Sequence, residues 1–401
     1  MNFRNKKLEK NNFNNISTII LLIYIYMPFI MNILENAFFV PSIINYIIQI
    51  ILIGFIIIFG KLNKKTLIFL SLFLLAIGVN CIAVDYRYYV LVEGIQALLG
   101  VAIPCLIISQ SQFDLGYFLR GWYKFAKIDL LLVIISIVFL KKGFVHYSIF
   151  TNICVPNVFI IATMFLLGKE ENKKDILIAA FNILSTIIFG GRMAGIVSLC
   201  MIVIAIVFST KLSLKKKILI FSFAVAIVVV ILINFRELLL WINENLNNVG
   251  MHSRSLTLLI EQIEKNKVHV SGRDEIYTKC IEFIKMRYGL PGGFGVPQYL
   301  TNGEYYYSHN LILQLLITFG GIGTLLLMIL LYQKMCMIKK YESKDFFRLI
   351  IFSFFSYILI GMTGSSIWIN YISTIAIALV FFRNHRLYKE KRENEEDIKK
   401  I

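Results

Sequence analysis

Charge is what this chain has least of. Only 16% of its 401 residues are Asp, Glu, Lys or Arg, whereas 58% are apolar. An ordinary soluble domain carries about 25% charged and about 45–50% apolar residues, so a water-soluble globule is excluded. Disorder is excluded by the same figures, because 33 Phe and 20 Tyr cannot be left solvated. Cysteine chemistry is missing too. The six cysteines, at 81, 105, 154, 200, 280 and 336, fall mostly in or beside apolar runs and form no CxxC or Cys/His spacing. That excludes a disulfide framework and a zinc site. There is no P-loop, GxGxxG, HExxH, GxSxG or Asp-rich pair. No nucleotide, redox cofactor or required metal is therefore expected. No inside loop is large enough for the nucleotide domain of an ATP-driven pump.

What the chain does have is long apolar runs. They lie at 16–34, 38–60, 66–84, 89–109, 128–140, 148–168, 175–190, 193–209, 218–234, 308–332, 347–362 and 365–382. A bilayer crossing takes about 20 residues, so the expectation is an all-α polytopic membrane protein of about twelve transmembrane helices. The first run lacks a small-residue cleavage site and reads as a span rather than a removable signal. The seventh and eighth runs are joined only by Phe189-Gly190-Gly191-Arg192, which reads as a tight hairpin with an arginine at its tip.

The net charge of +17 would suggest nucleic acid in a soluble protein. Here the basic residues stand in short runs between spans, with no basic-aromatic face, so no nucleic acid is expected. They read as topology determinants and contacts to anionic head groups. With the N-terminus inside, 29 of the 41 Lys and Arg fall in the inner segments 1–15, 61–65, 110–127, 169–174, 210–217, 333–348 and 383–401. Both termini are then cytoplasmic. The division is 1–234 with nine spans, an outer loop at 235–307, 308–382 with three spans, and a basic inner tail at 383–401.

The outer loop is the one segment long enough to form a soluble subdomain. Glu237 to Asn247 is polar and Asn-rich. Ser253 to Lys265 sets Leu256, Leu259, Ile260 and Ile263 at helical spacing behind an N-cap serine. A second helix is expected from Asp274 to Tyr288, with Ile276, Cys280, Phe283, Ile284 and Arg287 on one side, ended by Pro291-Gly292-Gly293. Both helices are amphipathic and suited to lie along the membrane surface.

Three residues on the loop side could carry chemistry. Arg192 sits behind Gly190-Gly191, which lets a bulky group approach, and guanidinium grips phosphate in bidentate fashion. An interfacial arginine that snorkels is the bland reading. Arg273, in Ser271-Gly272-Arg273-Asp274-Glu275, opens a helix whose free N–H groups favour an anion. A plain cap, with Ser271 capping, also fits. His309, where the loop re-enters the membrane, suits a base or orienting group as well as a bystander. Glu93 is the one carboxylate well inside a span. Intramembrane acids suggest a proton or cation route, but this one lacks a basic partner.

Taken together, these blocks form a pattern. Gly190-Gly191-Arg192 at the hairpin tip, Ser271-Gly272-Arg273 through Tyr277, Pro291-Gly292-Gly293-Phe294-Gly295, and His309-Asn310 with Gln314 and Gly320-Gly321-Ile322-Gly323 resemble the O-antigen ligase/polymerase superfamily. The likeness covers about 180–330; the first 175 residues match only in hydropathy. The tip reads Gly-Gly-Arg where Ser-Arg is common in the superfamily, and Tyr277 stands where Trp is frequent. The resemblance implies a GT-C-like, metal-independent glycosyltransferase in the bacterial cytoplasmic membrane, working on its outer side with a polyprenyl-diphosphate-linked oligosaccharide. By position, Arg192 and Arg273 would hold the diphosphate leaving group and His309 would orient or deprotonate the acceptor hydroxyl. A chain-length regulator and a flippase are the partners it implies. The compact outer loop favours a Wzy-type polymerase of repeat units over a ligase that moves finished glycan to lipid or protein. Tyr305 to Tyr307 suit stacking on sugar faces, or an interfacial aromatic belt. A repeat-unit flippase is the reading from another class. It would need charges deep in several spans, and this chain has Glu93 and little else.

Overall fold

The computed structural model describes residues 3–141, 148–168, 173–209, 212–251, 253–265, 273–363, 368 and 370–383. Among the described residues every regular element is helical. In chain order they are α1 (Phe3–Phe38), α2 (Ile43–Phe59), α3 (Lys64–Ala83), α4 (Arg87–Ile108), α5 (Leu115–Ile128), α6 (Leu130–Lys141), α7 (Ser148–Leu167), α8 (Lys173–Phe189) and α9 (Arg192–Phe208). There follow α10 (Leu214–Ile233), α11 (Phe235–Asn248), α12 (Arg254–Lys265), α13 (Arg273–Met286), α14 (Val296–Leu300), α15 (Leu311–Tyr341), α16 (Lys344–Thr363) and α17 (Tyr371–Phe381). Asparagines start three of the apolar ones. The side chains of Asn63, Asn310 and Asn370 accept from amides of the first turns of α3, α15 and α17, satisfying N–H groups that hydrocarbon could not.

Among the described residues, each of the twelve apolar runs holds a helix. Six helices among the described residues are long and apolar enough to cross a membrane: Asn11–Phe38, Lys64–Ala83, Arg87–Ile108, Ser148–Leu167, Leu311–Tyr341 and Lys344–Met362. Four more are apolar but shorter, at Ile43–Phe59, Leu130–Leu140, Met193–Phe208 and Tyr371–Phe381. At about 1.5 Å per residue, eleven residues reach about 16 Å, well under the roughly 30 Å of a hydrocarbon core. The protein is thus an all-α, multi-pass membrane protein.

Three helices had no counterpart among the expected spans and loop helices: the five-residue α14, and two longer ones. The first is α5, in a segment expected only as a connection. Phe118, Leu119, Trp122, Tyr123 and Ala126 recur on one face of it and are buried, while Arg120 and Lys124 lie on the other face. The second, α11, covers the Asn-rich stretch, where Leu239 is buried while Leu240, Trp241 and the asparagine-rich end lie outward or partly so.

The chain divides into two compact units. One gathers Met1–Tyr24, Asn45–Phe118 and Ser271–Ile401; the other Ile25–Ile44 and Leu119–Val270. Helices α11 and α12 therefore belong to the second unit and α13 and α14 to the first. The centre of the second unit is α7, buried almost all round from Ile149 to Leu166 and packed on α6, α8 and α9. In the first unit that place is taken by α4, buried from Leu99 to Ile108 and packed on α3, α14 and α17. By contrast α3 and the middle of α15 leave leucines and isoleucines outward. A helix apolar on every side is stable at such a surface only when the surroundings are hydrocarbon.

Candidate active site

Arg273 and His309 both belong to the first unit, and the sequence blocks around them are bound into one assembly. The second loop helix forms as expected, shifted by a residue or two: α13 runs from Arg273 and buries Ile276, Cys280 and Phe283. These three close a small core with Val296 of α14 and Ile317 of α15, flanked by Tyr86, Tyr277, Ile284, Leu300, Tyr305 and Leu313. Residues four apart share a helix face, so Arg273 and Tyr277 point the same way. The Tyr277 hydroxyl donates to the His309 carbonyl oxygen at 3.1 Å, which brings the arginine end of α13 beside His309. Ser271 and Gly272, and with them the expected serine cap, lie outside the described residues.

His309 stands in a tight left-handed turn, with φ of 54°. This is a conformation a residue with a Cβ adopts only when its surroundings impose it. The surroundings are visible. Gln314, a turn into α15, accepts from the Ser308 amide at 3.0 Å. The Ser308 hydroxyl donates to the Asn310 carbonyl at 2.8 Å, and the Asn310 side chain caps Ile312 and Leu313. The imidazole packs against Tyr307 and edge-on to Tyr305, with ring centroids 4.4 and 5.8 Å away. Its Nδ1 is buried with no hydrogen-bond partner. Burial, and secondarily the Arg273 guanidinium, lower the His309 pKa from 6.5 to about 4. The ring is therefore neutral at physiological pH, holding an unoccupied acceptor or donor nitrogen beside a cation.

The Pro291-Gly292-Gly293-Phe294-Gly295 block is the floor of this assembly. Gly320 interrupts α15 with φ of 68° and ψ of 178°, so carbonyls of the preceding turn are released from the helix. Gly292 N–H takes that of Ile317 at 2.8 Å and Gly293 N–H that of Thr318 at 3.1 Å, while Gly321 N–H bonds Gly289 O at 2.9 Å. A Cβ at Gly320 would lie 2.6 Å from the Gly289 oxygen, which is why glycine stands there. From α3, Asn80 accepts the Phe294 amide at 2.8 Å. The Tyr86 hydroxyl donates to Gly292 O at 2.7 Å. Glu93 of α4, 2% exposed, accepts from the Gly295 amide and, at 3.1 Å, from the Gln314 side chain. The acid thus has partners, and these two are neutral amides.

Arg192 lies in the second unit, as the first residue of α9. Gly190 and Gly191 alone separate α8 from α9, as the hairpin reading required. The tip is held from two sides. Thr151 Oγ1 accepts the Gly191 amide at 3.2 Å. The hydroxyls of Ser253 and Ser255, at the start of α12, donate to the carbonyls of Ile188 and Gly190. Ser253 also caps α12 by accepting from Leu256 N–H at 3.2 Å, as its sequence position predicts.

Chemically, a neutral imidazole beside a guanidinium, at the N-terminal ends of α13 and α15, can accept a proton while an anion is held nearby. Among the described residues no group of three or more His, Cys, Asp or Glu could hold a metal ion. Reasoning from sequence missed Glu93, Asn80 and Tyr86 as supports. A lone acid within a span next to tyrosines was the available signal, and its partners were some 200 residues away. In comparison with known proteins, residues 177–328 match the family model described as O-antigen ligase. No curated protein matches the chain.

Proposed function

We propose that this chain, whose residues 177–328 match the family model described as O-antigen ligase, is a polymerase of lipid-linked repeat units. It is a glycosyltransferase that transfers a growing glycan from polyprenyl diphosphate to the next lipid-linked unit. Arg273 and Arg192 hold the diphosphate and stabilise it as it leaves. His309 takes the proton of the acceptor hydroxyl as the glycosidic bond forms. The observation that carries this reading is the neutral, partly buried His309 with its partnerless Nδ1, held within reach of the Arg273 charge inside the matched segment. A base must be unprotonated when the acceptor arrives, and a leaving diphosphate can be neutralised by guanidinium groups. The energy comes from the activated donor. We place the reaction on the outer face of the bacterial cytoplasmic membrane, with twelve spans, both termini inside, and the divisions 1–234, 235–307, 308–382 and 383–401. A flippase supplies the units and a chain-length regulator limits the product.

The test is the lipid-linked glycan that accumulates on deletion of this chain. Single repeat units outside the membrane, restored to polymer by wild type and not by His309→Ala, are the expected result. Full-length polymer stranded on the carrier would make the protein a ligase. Units trapped on the inner face would make it a transporter and remove the roles given to the three residues.

A further inference from the structure

Glu93 is buried within α4, remote in sequence from the proposed site, and the transfer step does not use it. Its two oxygens are nonetheless fully engaged in one direction. One accepts from Gly295 N–H, the other from the Gln314 Nε2 amide at 3.1 Å. The opposite end of the same Gln314 side chain accepts from Ser308 N–H at 3.0 Å, the residue before the left-handed His309. The Trp368 indole also faces the carboxylate, and it too is a donor. A relay of fixed polarity therefore runs from the glycine block through Glu93 and Gln314 to the turn that presents the imidazole. An amide side chain has one acceptor end and one donor end, whereas a carboxylate has two acceptor ends. Ser308 N–H compels Gln314 to present its NH₂ inward, and that orientation requires two acceptor atoms at position 93.

We propose that Glu93 is a positioning residue for His309, acting through Gln314 to fix the Ser308–His309 turn; this rests on the transferase reading given above. The polarity of the relay makes the proposal specific. Glu93→Gln changes one oxygen to NH₂ and sets two donors against each other, at the Gln314 contact or, if Gln314 flips, at Ser308 N–H. The exchanged pair Glu93→Gln with Gln314→Glu restores every bond. The amide then at position 93 accepts from Gly295 and donates to the carboxylate at position 314, which in turn accepts from Ser308. A structural packing role would be served equally by glutamine, which has the same shape.

The experiment compares wild type, Glu93→Gln, Gln314→Glu and the double exchange in proteoliposomes supplied with lipid-linked repeat units. It records kcat, KM and amide hydrogen exchange of the 301–311 peptide. Glu93→Gln is expected to lower kcat by about 10- to 100-fold with KM little changed, as misplacement of a reacting group does, and to speed exchange at Ser308. The double exchange is expected to recover both. Wild-type kcat and protection in Glu93→Gln would overturn the proposal, as would a double variant no better than the worse single one. If Glu93→Gln does not fold, Gln314→Met, which keeps the Glu93–Gly295 bond, is expected to give the same loss of kcat and protection, and wild-type values would overturn the proposal. Absence of transfer by wild type alongside the expected exchange pattern would sink the transferase reading while leaving the relay standing.

Discussion

At His309 burial, more than any partner, sets the state of the side chain. Because its pKa falls to about 4, chiefly through burial, the imidazole stays neutral wherever the pH lies above that value. Activity should show no acid limb from this group between pH 5 and 8. Stability moves the other way. Below 6.5 the unfolded chain binds a proton that the folded one refuses, so the histidine costs stability as pH falls from 6.5 to about 4, and no further below. The melting-temperature difference between wild type and His309→Gln, followed across that range, checks the sign. Arg273→Gln should raise the His309 pKa only part of the way back, since the guanidinium is the lesser cause; pH-dependent diethyl pyrocarbonate labelling reads it. Arg192→Lys should lose transfer nearly as fully as Arg192→Ala, because a lysine cannot reproduce the bidentate fork. Full activity of the lysine variant in the same assay would remove Arg192 from the diphosphate.

The helices were mostly legible in the sequence because a run of apolar residues and an N-cap are local signals. α12 begins at the serine the sequence marks, α13 buries the Ile276, Cys280 and Phe283 side expected of it, and the Gly-Gly hairpin separates α8 from α9. What stayed hidden was non-local or weak in contrast. The hydrophobic face of α5 sits in a stretch whose basic residues dominated its reading, and α11 was obscured by its asparagines. The break in α15 could not be seen at all, since Gly320-Gly321 reads as an ordinary small-residue pair until the partner loop is known. That break can be tested directly. Gly320→Ala should cost on the order of 1–3 kcal/mol, from a positive φ and a Cβ driven onto the Gly289 carbonyl. Thermal unfolding in detergent measures it, and a wild-type melting temperature would show that the kink is dispensable. Ser255→Ala, which removes the donor to Gly190 O, should cost about 1 kcal/mol. Transfer should fall further than so mild a change predicts if the tip carries a working arginine.

The orientation proposed from the uneven distribution of Lys and Arg has a simple check. Tyr288 is 93% exposed at the end of α13, and Cys336 is an exposed native thiol near the far end of α15. With the loop outside, Tyr288→Cys should react with an impermeant maleimide in intact cells, and Cys336 only after permeabilisation. The reverse pattern would invert the topology. The broken α15 has one more consequence, in the order of events on the ribosome. The amides of Gly292 and Gly293 leave the exit tunnel roughly 25 residues ahead of the carbonyls that receive them at Ile317 and Thr318. Glu93 has by then been waiting for some 200 residues. Synthesis at about 5–20 residues per second leaves the earlier half of this seam unpaired for seconds. Chains cut short before Ile317 should therefore insert their early spans normally yet never close this seam, however long they are given.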